Sequence, residues 1–502
     1  MIQGTASAAG KSIVVAALCR ILKQDGFRVA PFKSQNMALN SFVTSQGEEM
    51  GRAQVVQAEA AGLEPSVDMN PILLKPEANA RCQVVVSGKP ATTLTAGEYG
   101  PYAETLMPIV KDSLNRLRSA YDIVIIEGAG SPAEINISAH EIVNMRIARL
   151  AEAPVLLVGD IDKGGVFASL VGTMALLGEA ERDYVKGFII NKFRGDVALL
   201  QPGLDQLEKY TSRPVVGVIP YYHHILIPEE DSIHQVDWTR RETDGETVNI
   251  AIIRSPRLSN STDFEPLQQE TGVKVSYVKT PAEMDNPDVI IVPGTKSTTA
   301  DLAYLKQSGL AESIIKRAGS GTPVVGICGG FQMLGKEVKD PHHVESEEST
   351  VTGLGLLDTI TVFQLQKTNC QVKARVLSNE GFLEGLQGKE VTGYEIHMGQ
   401  TTGNDSRPLF SVSTRNKKQA AYFDGAMTSD GLVFGTYLHG LFDNDNFRHA
   451  FIARLRQRKG LSVMPGTPVA DRQKQYDELA DLVRQSLNLK LIYRICGLRG
   501  EK

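Results

Sequence analysis

A strand-like run of β-branched residues stops abruptly on a cysteine within residues 322–335, Thr-Pro-Val-Val-Gly-Ile-Cys-Gly-Gly-Phe-Gln-Met-Leu-Gly. Val324–Ile327 has the composition of a buried strand, and Phe331–Leu334 begins an apolar helical pattern. A strand, a tight glycine turn and a helix would hold the Cys328 sulfur at a sharp elbow, where the helix N-terminus favours the nucleophilic thiolate. Free cysteines are often simply buried, but a packed strand gains nothing from glycines at its end. The pattern therefore favours Cys328 as a nucleophile.

A second glycine turn lies within the first twelve residues, Met-Ile-Gln-Gly-Thr-Ala-Ser-Ala-Ala-Gly-Lys-Ser, and opens onto an apolar helix at Ile13–Lys23. Backbone N–H groups of such a turn can cradle phosphates, the lysine can neutralise the outer phosphates, and the hydroxyl can hold Mg²⁺. The strict phosphate-loop pattern has glycine where this chain has Thr5, and the glycine stands one residue earlier. We predict a nucleotide site formed by Gly4, Thr5, Gly10, Lys11 and Ser12, with Ser12 also a ligand of Mg²⁺.

Apolar runs typical of strands alternate with helical stretches through the first half of the chain. Phe27–Pro31 predicts a strand, and the loop after it carries amide side chains suited to hydrogen bonding a ligand. Asp122–Glu127 ends in a carboxylate, and an acid at the carboxyl end of a parallel strand beside a phosphate loop is a usual Mg²⁺ ligand. Further strands are predicted at Val155–Gly159, Gly187–Ile190 and Val215–Pro220. This alternation predicts an α/β fold with a doubly wound parallel sheet and ligands at its carboxyl edge.

A polar segment without periodicity, residues 239–248, predicts the main linker. A second α/β unit begins at Asn249–Arg254 and contains the Cys328 elbow, and His397 and His439 follow it in glycine-flanked, strand-like contexts. A late histidine is a candidate base for the cysteine. The expected domains are residues 1–238, residues 249–446 and a charged helical extension over residues 447–502.

Composition excludes several classes of function. The chain of 502 residues has a net charge of −5, which gives no support to a nucleic-acid or membrane-surface role. No apolar run approaches the roughly 18 residues that a transmembrane helix requires. The first residues pass directly into a glycine turn, so no cleavable signal is expected. The five cysteines contain no CxxC and no metal-ligand spacing, which is typical of a cytoplasmic protein with reduced thiols.

These motifs together indicate two coupled chemistries, one driven by a nucleotide and one by a cysteine nucleophile. At this point the chain resembles, over nearly its whole length, the glutamine-hydrolysing adenosylcobyric acid synthases of cobalamin biosynthesis. The resemblance rests on the Cys328 elbow and on Pro31–Asn40, Met50–Gln54, Met69–Pro71, Leu73–Pro76, Glu127–Asn136, Gly159–Asp162, Gly187–Gly195 and Tyr437–Asp443.

The resemblance implies an N-terminal synthetase domain similar to dethiobiotin synthetase and a triad-type (class I) glutamine amidotransferase domain. It implies that Cys328 attacks the amide of L-glutamine, that His439 shuttles the proton, and that backbone N–H groups at Gly329 and near Gly294 stabilise the oxyanion. Ammonia would then reach a corrin carboxylate that ATP has phosphorylated. The family amidates positions b, d, e and g of adenosylcobyrinic acid a,c-diamide, with one ATP and one glutamine for each amide.

The resemblance also suggests which polar residues serve the synthetase half. Glu127 would join Ser12 as a ligand of Mg²⁺. Residues of the Pro31–Asn40 and Gly159–Asp162 motifs would bind substrate. These expected substrate contacts are Lys33, Gln35, Asn36, Asn40, Asp160 and Asp162.

The chain departs from the family at a few positions. Related amidotransferases carry Glu two residues after the catalytic histidine, where this chain has Leu441, so the third group of the triad is unassigned, with Glu395 and Asp443 as candidates. On the nucleotide side, the family usually has Asp where this chain has Ala8, Asn79 and Glu141, and Gly where it has Arg146.

Other interpretations stay open at the level of sequence. Cobyrinic acid a,c-diamide synthase shares both domains and the reaction type, although the Lys33–Asn40 and Met69–Pro76 motifs favour the first family. The first half alone could be a deviant phosphate-loop ATPase that acts as a protein switch, and a degenerate protein could bind corrin or glutamine without ligating. His397 is equally well explained as a hydrogen-bonded core histidine or as part of the glutaminase site.

Overall fold

The structure is a computed structural model that describes residues 1–77, 80–137, 140–222, 246–403, 407–468 and 471–498. Asn79 and residues 239–245 of the expected linker lie outside the described residues. Residues 1–222 and residues 246–458 form two α/β units, each built around a mainly parallel sheet.

The first unit contains twelve strands and seven helices within its described residues. The strands are β1 (Ile2–Gly4), β2 (Val29–Phe32), β3 (Gln35–Met37), β4 (Ser41–Val43), β5 (Glu49–Gly51), β6 (Ile72–Pro76), β7 (Arg81–Val86), β8 (Lys89–Thr95), β9 (Ile123–Ile126), β10 (Val155–Asp160), β11 (Val185–Phe193) and β12 (Val215–Pro220). The helices are α1 (Lys11–Gln24), α2 (Arg52–Ala61), α3 (Ala96–Ala120), α4 (Met145–Ala151), α5 (Val166–Leu176), α6 (Glu179–Arg182) and α7 (Val197–Thr211).

The central sheet of the first unit has the order β2-β9-β1-β10-β11-β12, with β9 joined to β1 through a parallel bridge between Ile2 and Glu127. All of these strand pairs are parallel. Along β10, Leu156 and Val158 pack into the core that contains α1, whereas Val155 and Leu157 pack into the core that contains α5 and α7. Because alternate side chains of one strand enter two different cores, helices cover both faces of the sheet. The predicted doubly wound parallel sheet is confirmed.

The predicted strands of this sheet are present, and their ends differ by a few residues. Phe27–Pro31 is observed as Val29–Phe32, and Gly187–Ile190 is the middle of the longer strand Val185–Phe193. The longer strand has a partner on each side, β10 and β12, so its pairing continues beyond the apolar run that marked it in the sequence.

Two smaller groups of strands lie beside the central sheet. One is a sheet of order β3-β6-β7-β8, and the other is the β4–β5 hairpin. Strand β4 contacts the second unit, so this part of the first unit forms its side of the boundary between the two halves.

The second unit and the C-terminal residues contain twelve strands and seven helices within the described residues. The strands are β13 (Val248–Ile253), β14 (Val273–Val278), β15 (Val289–Val292), β16 (Val324–Ile327), β17 (Glu337–Lys339), β18 (Thr350–Thr352), β19 (Thr359–Val376), β20 (Glu390–Gly403), β21 (Phe410–Arg415), β22 (Lys418–Asp424), β23 (Ala426–Met427) and β24 (Val433–Thr436). The helices are α8 (Glu265–Gln269), α9 (Thr298–Gln307), α10 (Leu310–Gly319), α11 (Gly329–Leu334), α12 (Asp445–Arg458), α13 (Arg472–Ser486) and α14 (Leu489–Ile495).

The main sheet of the second unit has the order β14-β13-β15-β16-β24-β23, in which only the edge strand β23 is antiparallel. Strand β16, which leads to Cys328, is central and fully buried. A second sheet, mainly antiparallel, has the order β18-β17-β19-β21-β22, with β20 paired to β19. Its long β19–β20 ribbon contacts β4 of the first unit.

The C-terminal helices belong to different units. Helix α12 packs into the core of the second unit, whereas α13 and α14 return to the first unit and contribute Tyr476, Leu479, Val483 and Ile492 to its core. Helix α13 lies along α1, the helix that follows the phosphate loop. The chain therefore passes between the two units twice, once between β12 and β13 and once between α12 and α13.

Polar contacts hold α13 against the first unit as well. Arg20 Nε donates to Asp477 at 2.7 Å, and Arg484 pairs with Asp25 at 2.8 Å. The Tyr476 hydroxyl donates to Glu59 on α2 at 2.7 Å. None of the helices in the described ranges is both long and apolar enough to span a bilayer.

Because α13 is part of the core around α1, truncation of its buried face should destabilise the phosphate-loop helix. Leu479 has no exposed surface, and Leu479→Ala should lower the local stability of α1 by about 2 to 5 kcal/mol. Leu199, which is 84% exposed, gives a matched control, since Leu199→Ala should change stability by less than about 0.5 kcal/mol. Amide hydrogen exchange of α1, followed by mass spectrometry, measures the effect. Equal protection in both variants would contradict the packing role of α13.

Candidate active site

The predicted elbow around Cys328 is present. Strand β16 ends at Ile327, Cys328 has φ 50° and ψ −109°, and helix α11 begins at Gly329. A positive φ is strained for a residue with a side chain and persists where surrounding structure enforces it. A Cβ atom on Gly330 would lie 1.8 Å from the carbonyl oxygen of Val292, so only glycine fits there. Cys328 is 7% exposed, and its sulfur lies 3.3 Å from the carbonyl oxygen of Ile396.

His439 lies beside the cysteine and contacts a carboxylate. Its Nδ1 lies 2.6 Å from Oδ2 of Asp263, and the backbone N–H of Gly440 donates to the other oxygen of that carboxylate at 3.0 Å. His439 and Cys328 line the same pocket. His439 and Asp263 are 2% and 4% exposed, so the three side chains form a buried Cys–His–Asp arrangement.

The electrostatics of this group favour a charged imidazole. Burial opposes protonation of His439, but the Asp263 carboxylate and the Cys328 sulfur outweigh it and raise the pKa of the imidazole to about 10. Because Nδ1 is engaged by Asp263, Nε2 is the ring nitrogen left to exchange a proton with a reacting group, as in catalytic triads.

Asp263 was not among the carboxylates that the sequence offered as the third group. Glu395 instead accepts a hydrogen bond from the Tyr422 hydroxyl and lies 3.8 Å from His397. Asp443 is in the turn after His439, and burial raises the pKa of its carboxyl. Glu127 directly follows β9, whereas Asp263 lies in the 3₁₀ helix Ser261–Phe264, separated from the end of β13 by a loop, so the strand pattern did not identify it.

His397 lies on β20 and lines the same pocket as Cys328. Its Nδ1 is 2.7 Å from the carbonyl oxygen of Gly399, and its ring stacks on that of Tyr437 with centroids 3.7 Å apart. The hydrogen bond and the ring stacking are contacts that a core histidine would make, and His397 also lines the pocket.

Both predicted oxyanion glycines are close to the triad. A Cβ on Gly294 would lie 3.0 Å from Cε1 of His439, and a Cβ on Gly329 would lie 2.6 Å from the Thr295 side chain. The backbone therefore approaches the Cys328 pocket closely at both positions, as an oxyanion site requires.

Residues from both units line the pocket around Cys328. The first unit contributes Lys75 of β6 and Gln83 of β7. The second unit contributes Ser259, Asn260, Thr295, Lys296, Thr298, Cys328, Gly329, Gln332, Glu345, Phe363, Lys367, Ile396, His397, Met398 and His439. The site is thus completed by the docking of the two units.

Buried charges connect the units at this pocket. Glu49 lies between Lys75 of its own unit, at 2.6 Å, and Lys367 of the other, at 2.5 Å. Burial alone would raise the pKa of Glu49, but the ammonium groups of Lys367 and Lys75 outweigh it and hold that pKa well below its usual range. Burial lowers the pKa of Lys367 to about 8, although Glu49 opposes that shift. A second ion pair, between Lys296 and Glu77, also joins the units at 2.6 Å.

The predicted phosphate loop surrounds the start of α1. Lys11 Nζ donates to the carbonyl oxygens of Ala6 at 2.9 Å and Gly130 at 3.1 Å. Gly10 has φ 94°, and a Cβ there would lie 2.0 Å from the Asn191 side chain, so this turn requires glycine. Gly4 ends β1 against the Lys11 side chain, and Thr5 donates its backbone N–H to Val158 at 3.0 Å.

Glu127 lies at the end of this loop. The Ser12 hydroxyl donates to Glu127 at 2.8 Å, and Lys33 Nζ donates to the same oxygen at 2.9 Å, while Gln57 donates to the other oxygen. Burial would raise the pKa of Glu127, but Lys33 outweighs it and keeps the carboxyl ionised. The Ser12 and Glu127 oxygens suit Mg²⁺, which is usually held by one or two protein oxygens plus phosphates and water. In the described part of the chain, no group of three or more His, Cys, Asp and Glu side chains could hold a metal ion alone.

The expected substrate residues are spread over three places. Lys33 is buried against Glu127, and Asp160 lies 3.3 Å from Lys192, so these two are near the phosphate loop. Asp162 pairs with Arg194 nearby. Gln35 accepts a hydrogen bond from the Tyr99 hydroxyl, and Asn36 Nδ2 donates to Gln54 at 2.8 Å. Asn40 accepts a hydrogen bond from the backbone N–H of Ser261 at 2.9 Å. Asn40 therefore reaches the second unit.

Of the four departures on the nucleotide side, Ala8, Glu141 and Arg146 lie within the described residues. Ala8 has φ 58°, and its carbonyl oxygen accepts from Lys192 at 2.9 Å. Glu141 accepts hydrogen bonds at 2.8 Å from the backbone N–H groups of Val143 and Arg146, where helix α4 begins. Glu141 thus supplies an N-terminal cap that a shorter acid could also make.

The hydrogen bond from His439 to Asp263 should be visible in the titration of the imidazole. His439 should keep its proton until the pH approaches 10, and Asp263→Asn should lower its pKa because the amide carries no charge. NMR titration of labelled histidine, assigned by comparison with His439→Asn, measures both values. Since the folded-state pKa is raised, the charged His439 stabilises the fold at neutral pH and loses that contribution as the pH rises toward 10.

Glu395→Gln is the control for this titration, because Glu395 contacts His397 and Tyr422 rather than His439. It should leave the titration of His439 in place. A shift caused by Glu395→Gln but not by Asp263→Asn would overturn the assignment of the partner carboxylate.

Comparison with known proteins identifies both units. Residues 1–232 match the CobQ/CobB/MinD/ParA nucleotide binding domain, and residues 249–447 match the CobB/CobQ-like glutamine amidotransferase domain. Cobyric acid synthase of Dehalococcoides mccartyi strain CBDB1 is 55% identical over 497 residues, which cover 99% of this chain and 98% of that protein. Cobyric acid synthases of Sorangium cellulosum and Moorella thermoacetica are 52% and 50% identical, each over 99% of this chain and over 98% and 97% of their own lengths. With such identity over nearly the full length of both partners, the chain belongs to the cobyric acid synthase family.

Proposed function

We propose that this chain uses ATP and L-glutamine to amidate the b, d, e and g side-chain carboxylates of adenosylcobyrinic acid a,c-diamide, which gives adenosylcobyric acid. Membership of the cobyric acid synthase family makes it an amide ligase of cobalamin biosynthesis with a glutamine amidotransferase domain. The observation that carries the proposal is the buried Cys328–His439–Asp263 arrangement, in a pocket lined by both units.

In the glutaminase reaction, the Cys328 thiolate bonds to the amide carbon of glutamine. The oxyanion accepts backbone hydrogen bonds at Gly329 and near Gly294. The C–N bond breaks as the His439 imidazolium gives its proton to the departing nitrogen, which leaves ammonia and a thioester. Water then attacks the thioester, with His439 as base, and releases glutamate and free Cys328. Asp263 holds the imidazole in the orientation and tautomer that both steps need.

In the synthetase reaction, an oxygen of the corrin carboxylate attacks the terminal phosphorus of ATP, and the bond to ADP breaks. Ammonia attacks the resulting acyl phosphate, phosphate leaves, and the amide loses a proton. The turn from Gly4 to Gly10 and the Lys11 ammonium bind the ATP phosphates. Ser12 and Glu127 would hold Mg²⁺, which neutralises phosphate charge when bound.

The roles of the residues beyond the phosphate loop follow from their surroundings. Lys33 keeps Glu127 ionised in a buried place, which preserves it as an oxygen ligand. Asp160 lies close enough to the loop to contact the nucleotide or the corrin carboxylate. Gln35, Asn36 and Asp162 are the further residues that we propose for substrate binding.

The alternatives account for less of the chain. A phosphate-loop ATPase that acts as a protein switch would not need an amidotransferase domain, and residues 249–447 match such a domain. Cobyrinic acid a,c-diamide synthase would use the same two units, but the relatives that match over nearly the full length are cobyric acid synthases. A degenerate binding protein would not need the buried triad.

Cys328→Ser separates the two half reactions. It should abolish glutamine-dependent amidation but leave amidation supported by free ammonia, because ammonia bypasses the thioester. Product masses after incubation with ATP, the a,c-diamide and either nitrogen source measure both activities. Cys19, which is buried in the first unit, gives the control Cys19→Ala, and glutamine should still be used by that variant. Glutamine use at the wild-type rate by Cys328→Ser would refute the assignment of the nucleophile.

Ala8→Asp tests the departure in the phosphate loop. An acid at this position could ligate Mg²⁺ or accept a hydrogen bond, so ADP release that depends on the corrin substrate should be faster by up to about 100-fold. Assays with saturating ammonia keep glutamine chemistry from limiting the rate. Ala8→Asn is a matched control, because Asn suits the left-handed conformation of position 8 equally well but carries no charge. Equal rates for Asp and Asn variants would show that the missing carboxylate is irrelevant.

A further inference from the structure

Two asparagines face each other across the boundary between the units. The Asn40 Oδ1 of the first unit accepts a hydrogen bond from the backbone N–H of Ser261 at 2.9 Å. In the opposite direction, Asn260 Nδ2 of the second unit donates to the carbonyl oxygen of Ser41 at 3.2 Å. All four residues are buried. Each side-chain amide thus pairs with the backbone of the other unit, and we name this group, Asn40, Ser41, Asn260 and Ser261, the asparagine clasp.

The asparagine clasp is continuous with the carboxylate of the triad. Asp263 lies in the short 3₁₀ helix Ser261–Phe264, for which Asn260 is the capping residue, and its backbone N–H donates to the Asn260 carbonyl at 3.0 Å. The backbone group that Asn40 holds therefore lies two residues before the carboxylate that contacts His439. Displacement of this turn would move Asp263 relative to the imidazole.

Asn260 reaches His439 by a second route as well. Its Nδ2 also donates to the Tyr394 hydroxyl at 2.9 Å, and the Tyr394 ring stacks on the His439 imidazole at 14° with centroids 5.2 Å apart. The backbones of Tyr394 and His439 exchange two hydrogen bonds, at 2.9 and 3.2 Å. One amide group thus touches the first unit and the aromatic ring that packs against the imidazole.

The first unit supplies a rigid base for these contacts. The Phe42 ring, next to Ser41 on β4, packs on Tyr394 with centroids 5.4 Å apart, and the Arg52 guanidinium lies 5.3 Å from the centre of the Phe42 ring. The backbone N–H of Arg52 also donates to the Asn40 carbonyl oxygen at 3.1 Å. The segment that holds the triad turn is therefore itself anchored at the start of α2.

We propose that Asn40 and Asn260 are positioning residues for glutamine hydrolysis, through which the synthetase unit holds Asp263 and His439 in their working geometry. The inference rests on the proposed glutaminase function of Cys328. Ammonia that is released when no synthetase unit is docked would be lost. A triad that the synthetase unit aligns hydrolyses glutamine efficiently only when the two units are docked.

Asn260→Gly is the informative variant. Asn260 has φ 56°, a conformation that glycine adopts freely and alanine does not, so this change removes the amide without backbone strain. The kcat of glutamine hydrolysis should fall by about 10- to 100-fold, since small misplacements of catalytic groups have effects of this size, and KM should change by less than about threefold. Asn40→Ala should act in the same direction.

Gln371→Met is the matched control. The Gln371 amide makes another hydrogen bond between the units, from Nε2 to the carbonyl oxygen of Val43 at 2.9 Å, on the same strand β4. Among the described residues, its amide side chain and backbone N–H donate to Val43 and Asn416 rather than to the turn that carries Asp263, and Met keeps its approximate length. Glutamine hydrolysis by Gln371→Met should stay within about twofold of wild type, which separates loss of the clasp from general weakening of the boundary.

Two further measurements distinguish positioning from a structural effect. In Asn260→Gly, the alkaline limb of the pH profile of kcat/KM should move to lower pH, because a looser contact with Asp263 stabilises the imidazolium less; a smaller fraction of folded enzyme would not move it. In an Asp263→Asn background, addition of Asn260→Gly should have little further effect on kcat, because both changes remove the same constraint.

The outcomes are separable. If the wild type does not hydrolyse glutamine, or Cys328→Ser still does, the proposed function fails. If the wild type is active and Asn260→Gly matches Gln371→Met, or its effect adds fully to that of Asp263→Asn, the clasp has no positioning role. A fall in kcat without a shift of the pH limb would also overturn the inference, since it would assign the amide to stability alone.

Discussion

The buried carboxylate of Glu49 determines how the two units meet. It lies between Lys75 and Lys367, one from each unit, in a place that water does not reach. A charge that stays buried without its partner costs about 3 to 5 kcal/mol, so a shifted register that kept Glu49 or Lys367 buried but unpaired would be strongly opposed. Both lysines also line the pocket of Cys328. The ion pairs that join the two units therefore also form part of the wall of the Cys328 pocket.

The course of the chain reinforces this docking. Helix α13 leaves the amidotransferase unit and packs along α1, where Leu479 and Tyr476 join the core of the phosphate-loop unit. Two chain connections between the same bodies restrict their relative motion more than one linker would, since each closes a loop with its own entropy cost. A fixed boundary suits the proposed reaction, in which ammonia would be made at Cys328 and used in the other unit.

The sequence predicted those parts of the candidate site that lie directly at the end of an apolar strand. The Cys328 elbow and Glu127 each lie directly at the end of an apolar strand, so the strand pattern identified them. Asp263 was missed because a loop separates it from β13, and only the fold brings it to His439. The return of α13 was not predicted either, because an amphipathic helical pattern indicates one buried face without identifying the surface that covers it. The ends of the strands and the contact between Asn40 and Ser261 also depend on tertiary pairing, so the sequence did not predict them.

The segment Lys33–Asn40, for which the sequence motif predicted a functional role, has buried contacts at both of its ends. Its first residue pairs with Glu127 at the phosphate loop, and its last holds the backbone of Ser261 in the other unit. Both contacts are buried and polar, so each must be satisfied, and neither tolerates loss of its partner without cost. The same short segment thus contacts Glu127 at one end and the turn that carries Asp263 at the other, which links the two candidate sites through one stretch of backbone.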